Sequence, residues 1–290
     1  MTTTTTTSAG APATSTTTTP TSGGAPSTPA DHYDRLLAEH YTWMLGGHLP
    51  DLVAEQRALL AELGLDGAGD GDGDAGGERR LAVDLGCGPG HTSLALAGLG
   101  YDRVLAVDLS RPLLAELAGY AAEVPAVRPV HADLRTALRE LVGPGTADAV
   151  VCLGDTLTHL PTRGDVAALL NDVAGALTPD GTAVLAYRDL TVPLTGTDRF
   201  LPVRATEDRI MTCFLEYPAD FEDYTVVVHD LVHSRTGADD DWTLTTGSYR
   251  KLRLSHDWVL RQCRTAGLAV VGERVGQGGV ARTVALRLAG

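Results

Sequence analysis

The stretch Val83-Asp84-Leu85-Gly86-Cys87-Gly88-Pro89-Gly90 is followed by a second apolar run, Leu105-Ala106-Val107-Asp108, which ends in a carboxylate. This pattern predicts a buried strand, a glycine turn, the start of a helix and a second strand. Glycines in such a turn permit positive φ and let the backbone pass close to a ligand, because no Cβ intervenes. Asp108, at the carboxyl end of the second strand, can accept hydrogen bonds from both hydroxyls of a ribose. The stretch therefore predicts a unit that binds an adenosine-containing cofactor.

The spacing of the glycines indicates which cofactor. A dinucleotide fingerprint is G-x-G-x-x-G, in which the third glycine lets the helix pack closely on the strand. Here Gly86 and Gly88 are followed by Gly90, and His91 stands at the dinucleotide position. The resulting G-x-G-x-G resembles the class I S-adenosylmethionine (SAM) methyltransferases, whose cofactor has no pyrophosphate for a helix N-terminus to hold. An NAD-dependent oxidoreductase is the alternative from another enzyme class, and His91 counts against it.

Composition limits the partners. The chain has 290 residues and a net charge of −14, which argues against a nucleic-acid partner because phosphate binding needs a basic face. Four scattered cysteines without a C-x-x-C pair predict reduced thiols. No stretch is apolar enough to span a membrane, and the first 30 residues lack a signal core. We therefore expect a cytoplasmic protein with a small-molecule substrate and no membrane partner; a homodimer is one of the states that the sequence allows.

The lysine content and the histidine spacing of the chain each allow one interpretation. Of the 23 basic residues only Lys251 is a lysine, which we interpret as a compositional bias. His229 and His233 are four apart on a predicted strand and project on one face. Because no third ligand is evident, we predict no metal site.

Composition shifts divide the chain into five parts. Residues 1–30 are a Thr/Ser/Pro-rich tail without apolar residues to bury, which predicts disorder. Residues 31–77 are predicted to form N-terminal helices and a Gly/Asp linker, and residues 78–190 a Rossmann-like core. Residues 191–254 alternate in polarity, which predicts an antiparallel β lid. Residues 255–290 are predicted to form a C-terminal helix, with Ser255 as its cap, and the closing strands of the core.

The predicted fold is α/β. Near-continuous apolar strands separated by helices predict a doubly wound, mostly parallel seven-stranded sheet covered on both faces. The sheet carries an N-terminal helical segment and a small antiparallel insertion after the fifth strand. The first five core strands are predicted at Leu81–Leu85, Val104–Leu109, Val127–Ala132, Ala147–Leu153 and Thr182–Tyr187. The lid strands are predicted at Arg209–Tyr217, Tyr224–Ser234 and Trp242–Arg253.

A longer segment makes the resemblance more specific. The run Asp148-Ala149-Val150-Val151-Cys152-Leu153-Gly154-Asp155-Thr156-Leu157-Thr158-His159-Leu160-Pro161 is similar to the fourth-strand motif of glycine N-methyltransferase and its small-molecule relatives. In that family a Cys-Leu-Gly-Asn run precedes a His-Leu-Pro. The similarity continues through Leu177-Thr178-Pro179-Asp180-Gly181 and into Tyr187-Arg188-Asp189, where the family has His-Arg-Asn. It covers roughly residues 80–190.

The resemblance implies a set of cofactor-binding residues. Asp84 would orient the methionine ammonium of SAM, and backbone carbonyls near Leu153 would also accept from it. The glycine turn would pass beside the methionine and ribose, and Asp108 would hold the ribose. The remaining contacts would be Leu109 and Leu134 on the adenine, Asp133 on its amino group, and Tyr33 and Tyr41 folded over the cofactor. Two of these carboxylates have an alternative structural role. Asp84 could cap the turn that follows it, and Asp133 could cap the helix that starts at Leu134.

The same resemblance implies three catalytic or acceptor-side residues. Arg188 matches the arginine that grips the substrate carboxylate in glycine N-methyltransferase, and its planar fork suits that group. Asp155 stands where the family has Asn and could accept a proton from the nucleophile. His159 could donate a hydrogen bond, act as a base, or tie the turn to the neighbouring helix.

The predicted activity is a SAM-dependent methyl transfer to a small molecule. The transfer would be direct and in line, with S-adenosylhomocysteine as the product and nitrogen favoured over oxygen as the acceptor. Two alternatives stay open: an O-methyltransferase that acts on a natural product, and a regulator that binds SAM without turnover.

Overall fold

The computed structural model describes residues 26–65, 80–220, 224–237 and 240–290. The tail residues 1–25 and most of the predicted Gly/Asp linker lie outside this range. The described chain forms two sheets, one of seven strands and one of four. No helix among the described residues combines the length and the apolar character needed to traverse a lipid bilayer.

The seven-stranded sheet has the strand order β10-β11-β5-β4-β1-β2-β3. Strands β1 to β5 are parallel, whereas β11 is antiparallel to both β5 and β10. The strands of this sheet are β1 Leu81–Leu85, β2 Arg103–Asp108, β3 Val127–His131, β4 Ala147–Cys152, β5 Leu177–Arg188, β10 Leu268–Val275 and β11 Ala281–Leu288. This confirms the predicted doubly wound α/β fold.

The helices cover both faces of the sheet, as near-continuous apolar strands require. Every residue of β1 is buried. Its alternating side chains pack on one side against α6, α7 and α8, and on the other against α3, α4 and α5. These helices are α3 Leu49–Glu62, α4 His91–Gly98, α5 Arg111–Ala121, α6 Leu134–Leu141, α7 Arg163–Ala176 and α8 His256–Thr265.

Caps fix where the helices begin. Thr162 and Asp165 form a reciprocal capping box at the start of α7. Ser255 accepts from the backbone N–H of Trp258 and caps α8 as predicted. These caps define the first residues of α7 and α8, and the parallel pairing of β1 to β5 places the carboxyl ends of these strands at one edge of the sheet.

The four-stranded sheet is the predicted insertion, and we call it the lid sheet. Its strands are β6 Phe200–Ala205, β7 Arg209–Glu216, β8 Thr225–Ser234 and β9 Thr243–Leu252, paired antiparallel in that order. The sequence predicted three of these strands and missed β6. That strand is short, contains Pro202 and has an irregular register between Pro202 and Arg204, so its alternation of polarity is weak.

The N-terminal segment, residues 27–45, is helical but not one continuous helix. It contains α1 Pro29–His32 and α2 Tyr41–Leu45, joined by a π-helical turn at Tyr33–Leu37 and a 3-10 turn at Ala38–His40. Ser27 pairs with the edge of the lid sheet through its backbone N–H to the carbonyl of Ser248, at 3.0 Å. The segment therefore lies between the core and the lid sheet and contacts both.

Candidate active site

The glycine turn after β1 is bonded to the end of β2. The backbone N–H groups of Gly86 and Cys87 both donate to the carbonyl of Val107, at 2.8 and 3.0 Å. Gly86 has φ +76°. A Cβ at this position would lie 2.3 Å from Cγ2 of Thr156, so glycine is required there both by conformation and by space.

Asp108 lies beneath this turn at the carboxyl end of β2. Its carboxylate accepts from the backbone N–H groups of Gly88 and Ser110, each at 2.8 Å. Burial raises the pKa of Asp108, and these backbone hydrogen bonds oppose that rise. The carboxylate is thus fixed in orientation at the edge of a cavity.

The first cavity has a volume of about 320 Å³. Nine of the residues predicted to bind the cofactor or the acceptor line it: Tyr33, Tyr41, Gly86, Gly88, Asp108, Leu109, Asp133, Leu134 and His159. Residues that the sequence did not single out complete the wall, among them Thr28, Ser110 and Thr156. The structure therefore brings most of the predicted cofactor residues together at one place.

Three predicted cofactor residues do not line this cavity. Asp84 is 1% exposed and accepts from the hydroxyl of Ser93 at 2.6 Å, and burial raises its pKa to about 7. The carbonyl of Leu153 already accepts from the backbone N–H of Thr156 within the turn after β4. Gly90 packs instead against α5, where a Cβ would lie 2.1 Å from Leu117.

Asp133 lines the cavity, but its carboxylate has local partners. It accepts from the backbone N–H of Arg135 at 2.9 Å and pairs with the Arg135 guanidinium at 2.6 Å. The hydrogen bonds and charge of Arg135 hold the pKa of Asp133 below its usual value. The structure thus gives Asp133 the helix-capping role that the sequence left as an alternative.

A second, larger cavity of about 630 Å³ adjoins the first. The two cavities share Tyr33 and Tyr41 in their walls, so these rings stand at the junction. Burial is the main reason that the pKa of Tyr41 is raised, to about 12, and it also raises the pKa of Tyr33. Both phenols are therefore protonated at neutral pH and can donate hydrogen bonds at the junction.

Asp155 and Arg188 line the second cavity together with Lys251, which the sequence did not identify as a site residue. The Lys251 ammonium donates to Oδ2 of Asp155 at 2.7 Å, and the Arg188 guanidinium pairs with the same oxygen. The backbone N–H of Arg188 donates to Oδ1 at 3.1 Å. Burial alone would raise the pKa of Asp155, but the two cationic groups outweigh it and hold that pKa well below the usual range.

This pairing corrects two expectations from the sequence. A carboxylate with so low a pKa is a poor proton acceptor at neutral pH, which argues against the base role predicted for Asp155. The guanidinium of Arg188 is paired within the protein and does not stand alone facing a substrate carboxylate. Asp155 instead holds Lys251 and Arg188 in place at the cavity wall.

His159 stands next to the junction. Its ring is 5.5 Å from the ring of Tyr33 and 5.5 Å from the ring of Tyr249, centroid to centroid. Burial, assisted by the charge of Lys251, lowers the pKa of His159 to about 3. Its Nε2 has no hydrogen-bond partner within the described chain. His159 is therefore neutral at pH 7 and offers a nitrogen that can hydrogen-bond to a ligand.

A second buried polar contact links the N-terminal segment to the lid sheet. His32 Nε2 lies 2.7 Å from Oδ2 of Asp230, and the Cys213 thiol donates to Oδ1 at 2.8 Å. The His32 and Asp230 side chains are each 2% exposed. A Cβ at Gly247 would lie 2.8 Å from the His32 ring, so glycine at that place makes room for the contact.

The sequence held only weak signals for these added residues. Lys251 is the single lysine of the chain and lies two residues from Tyr249 on one strand, so the two side chains share a face. His229 and His233, the two histidines considered as metal ligands, do not pair with each other; His229 pairs with Glu216 at 2.8 Å. Within the described ranges, no group of three or more His, Cys, Asp or Glu side chains could hold a metal ion.

Comparisons with known proteins agree with this geometry. Residues 82–181 match the methyltransferase domain family. The chain is 35% identical over 153 residues to the cypemycin N-terminal methyltransferase of a Streptomyces species, which covers 47% of this chain and 60% of that protein. It is 32% identical over 114 residues to the glycine/sarcosine N-methyltransferase of Aphanothece halophytica, which covers 39% of this chain and 42% of that protein. The chain thus spans less than two thirds of the length of these relatives.

The fold has a close counterpart among solved structures. The CcbJ methyltransferase from Streptomyces caelestis superposes with a TM-score of 0.65 at 20% identity. The match covers 90% of this chain and 96% of that one. The resemblance found in the sequence is confirmed at the level of the domain and the fold.

Proposed function

We propose that this chain, whose residues 82–181 match the methyltransferase domain family, is a SAM-dependent methyltransferase that methylates an amine of a small molecule. The observation that carries the proposal is the pair of adjoining cavities with Tyr33 and Tyr41 at their junction. One cavity contains the glycine turn and Asp108, and the other contains a cluster of charged side chains. A cofactor and an acceptor bound in these cavities would meet at the two tyrosine rings.

The first cavity fits a nucleoside cofactor. Its volume lies within the range of about 300–1,000 Å³ that is usual for small-molecule sites. Asp108 is oriented to accept from ribose hydroxyls, and Leu109 and Leu134 offer apolar contact to a flat ring. His91 occupies the first position of α4. A site for a pyrophosphate would need this helix N-terminus to be free of a bulky side chain. These features favour SAM over a dinucleotide.

SAM, when bound, supplies a methyl group already activated by its sulfonium. The protein then needs to align the acceptor and exclude water, which can lower a barrier by roughly 7–11 kcal/mol in favourable cases. The protonated phenols of Tyr33 and Tyr41 would orient the reacting groups at the junction. The neutral Nε2 of His159 would accept a hydrogen bond from the acceptor amine.

An amine must arrive without its proton, because the protonated form has no lone pair. The Lys251 ammonium and the Arg188 guanidinium lie in the acceptor cavity, so they disfavour a second positive charge and favour the neutral amine. Arg282 lines the same cavity, and its Nε has no partner within the described residues. The unpartnered Nε of Arg282 supports the proposal that the acceptor can carry a carboxylate.

The decisive experiment is calorimetry with SAM, S-adenosylhomocysteine and NAD on the wild-type chain and on Asp108→Ala. We expect heat with the first two ligands alone, and a loss of about 10- to 100-fold in affinity for the variant, since a hydrogen bond to a charged group contributes ~1.5–3 kcal/mol. Asp102→Ala is the matched control, because Asp102 precedes the opposite end of β2 and accepts from Arg80. Equal affinity of wild type and Asp108→Ala would refute the ribose role, and heat with NAD alone would refute the cofactor assignment.

One observation favours oxygen as a second candidate acceptor. The buried Lys251 ammonium would stabilise an oxyanion as well as repel a protonated amine. Assays that pair each amine with its hydroxyl analogue separate the two, and mass spectrometry of the product identifies the methylated atom. Binding of SAM without turnover on either series would instead identify a regulator.

A further inference from the structure

The second cavity is larger than an amino acid as small as glycine needs. Its volume of about 630 Å³ is twice that of the first cavity and lies in the range of sites for drug-sized ligands. Apart from Arg282, the charged residues of its wall belong to two hydrogen-bonded clusters. Asp155 is held by Lys251 and Arg188, and Asp230 is held by His32 and Cys213.

Both carboxylates of this cavity are therefore already satisfied within the protein. Oδ2 of Asp155 has two cationic partners, and each oxygen of Asp230 has a hydrogen-bond partner within the protein. An acceptor gains little from carboxylates whose charges are compensated in this way, since it would have to compete with intramolecular partners. Affinity has to come mainly from other parts of the wall.

The rest of the wall is largely apolar and comes from four separate parts of the chain. The apolar lining includes Met44 and Leu45 of α2, Leu201 and Val203 of β6, Leu190 after β5, and Leu215 of β7. Val203 keeps 36% of its surface exposed although it faces this cavity. Apolar surface left uncovered beside a charged end is the pattern of a site for an amphipathic ligand.

We propose that the acceptor is an amphipathic amine whose apolar body, a hydrocarbon chain or ring system, packs against α2 and β6. Its amino group is directed to the junction beside Asp155 and Lys251. This inference rests on the proposed function and deepens it by naming the class of acceptor. It also separates this chain from an enzyme for glycine.

The test uses two series of acceptors with increasing apolar length. One series runs from glycine through 2-aminobutanoic and 2-aminohexanoic to 2-aminooctanoic acid, and the other contains the matching n-alkylamines. Binding to the chain loaded with S-adenosylhomocysteine is measured by calorimetry, and methyl transfer from SAM is measured in parallel. We expect affinity and kcat/KM to rise about threefold to fourfold for each buried methylene in at least one series.

Variants locate the effect in the cavity. Val203→Asp should lower kcat/KM for the longest acceptor by at least 20-fold and change the value for the shortest by less than threefold. Ile210→Asp is the matched control, because Ile210 is also an apolar β-branched residue of the lid sheet, is 39% exposed and does not line the cavity. It should change neither value by more than twofold, and SAM affinity should be unchanged in both variants.

The outcomes distinguish this inference from the proposed function. SAM binding with methyl transfer that does not increase along either series, or that is best with glycine, would overturn the inference and leave the proposed function intact. A steep rise in binding to the S-adenosylhomocysteine-loaded chain without any methyl transfer would support the apolar site and overturn the enzymatic proposal. No binding of the longest members of either series would overturn the inference directly.

Discussion

Replacing Lys251 with Met tests the buried charge cluster most directly. The Lys251 and Asp155 side chains are 7% and 10% exposed, and their charged atoms are 2.7 Å apart. Removing one member of a buried pair leaves an uncompensated charge, which typically costs about 3–5 kcal/mol. Because Arg188 still pairs with Asp155, we expect Lys251→Met to lose about 3 kcal/mol of unfolding free energy, the lower end of that range.

Urea unfolding at pH 7 measures this loss, and two further variants define its origin. Arg139→Met breaks the pair with Asp172, in which the arginine side chain is 54% exposed, so it should cost no more than about 1 kcal/mol. The double variant Lys251→Met/Asp155→Asn removes the carboxylate that has lost one of its two cationic partners, and it should recover most of the loss because the remaining Arg188 side chain is 58% exposed and can be hydrated. A loss below about 1 kcal/mol for Lys251→Met, or no recovery in the double variant, would refute our account of the cluster.

The pH dependence of this loss has a defined sign. The folded-state pKa of Asp155 is depressed below its value of about 3.9 in the unfolded chain. Its pairing therefore contributes stability above that value, and the contribution is lost as the pH falls toward the folded-state pKa. The stability difference between wild type and Lys251→Met should accordingly be constant from neutral pH down to about pH 5 and shrink below about pH 4.

Three other predictions concern the turn, the junction and the N-terminal segment. Gly86→Ala places a methyl group 2.3 Å from Thr156. The free energy of unfolding in urea should therefore fall by roughly 1–3 kcal/mol, and calorimetry should show weaker SAM binding. Unchanged values of both quantities would contradict the close contact. His159 has its pKa lowered by burial to about 3, so the unfolded state binds more protons than the folded state at mildly acidic pH. Wild type should therefore lose more stability than His159→Phe between pH 6.5 and pH 4.5, and an equal loss would be inconsistent with a neutral His159. The contact between His32 and Asp230 ties the N-terminal segment to the lid sheet. Loss of this contact in His32→Ala should therefore speed cofactor release about tenfold, equivalent to ~1.4 kcal/mol, in stopped-flow measurements, and Asp230→Asn should have the same effect. Additive effects in the double variant would argue against direct coupling of the two residues.

The core of the fold was predictable because its signals are local. The β1 strand has the same bounds in the sequence prediction and in the structure, since an uninterrupted apolar run ends at a glycine turn. The fifth strand is longer than predicted and begins at Leu177, because its residues 178–181 include Pro179 and Gly181 and look like a turn. The N-terminal segment was predicted to be helical but its π and 3-10 turns were not, since apolar spacing alone does not distinguish an α-helix from such turns.

The cofactor half of the site was more predictable than the acceptor half. Asp108 and the glycine turn are neighbours across adjacent strands, so the order of the elements places them together. The contact between Lys251 and Asp155 joins residues 96 positions apart, one on strand β9 of the lid sheet and the other in the turn after β4 of the core. No local sequence pattern encodes a contact between residues so far apart in the chain. The pairing also removes the role as a proton acceptor that Asp155 would have as an isolated carboxylate. The sequence therefore identified Asp155 and misjudged its chemistry.

The ties between the N-terminal segment and the lid sheet bear on protein engineering. Ser27 bonds to Ser248, Arg204 donates to the carbonyl of Trp43 at 2.7 Å, and His32 reaches Asp230. These two parts are more than 150 residues apart in the chain, yet together they build most of the acceptor cavity. A chimaera that imports only a foreign insertion after β5 would lose the two ties that lid side chains make, those of Arg204 and Asp230, so acceptor preference should be transplantable only when both parts are exchanged as a matched set.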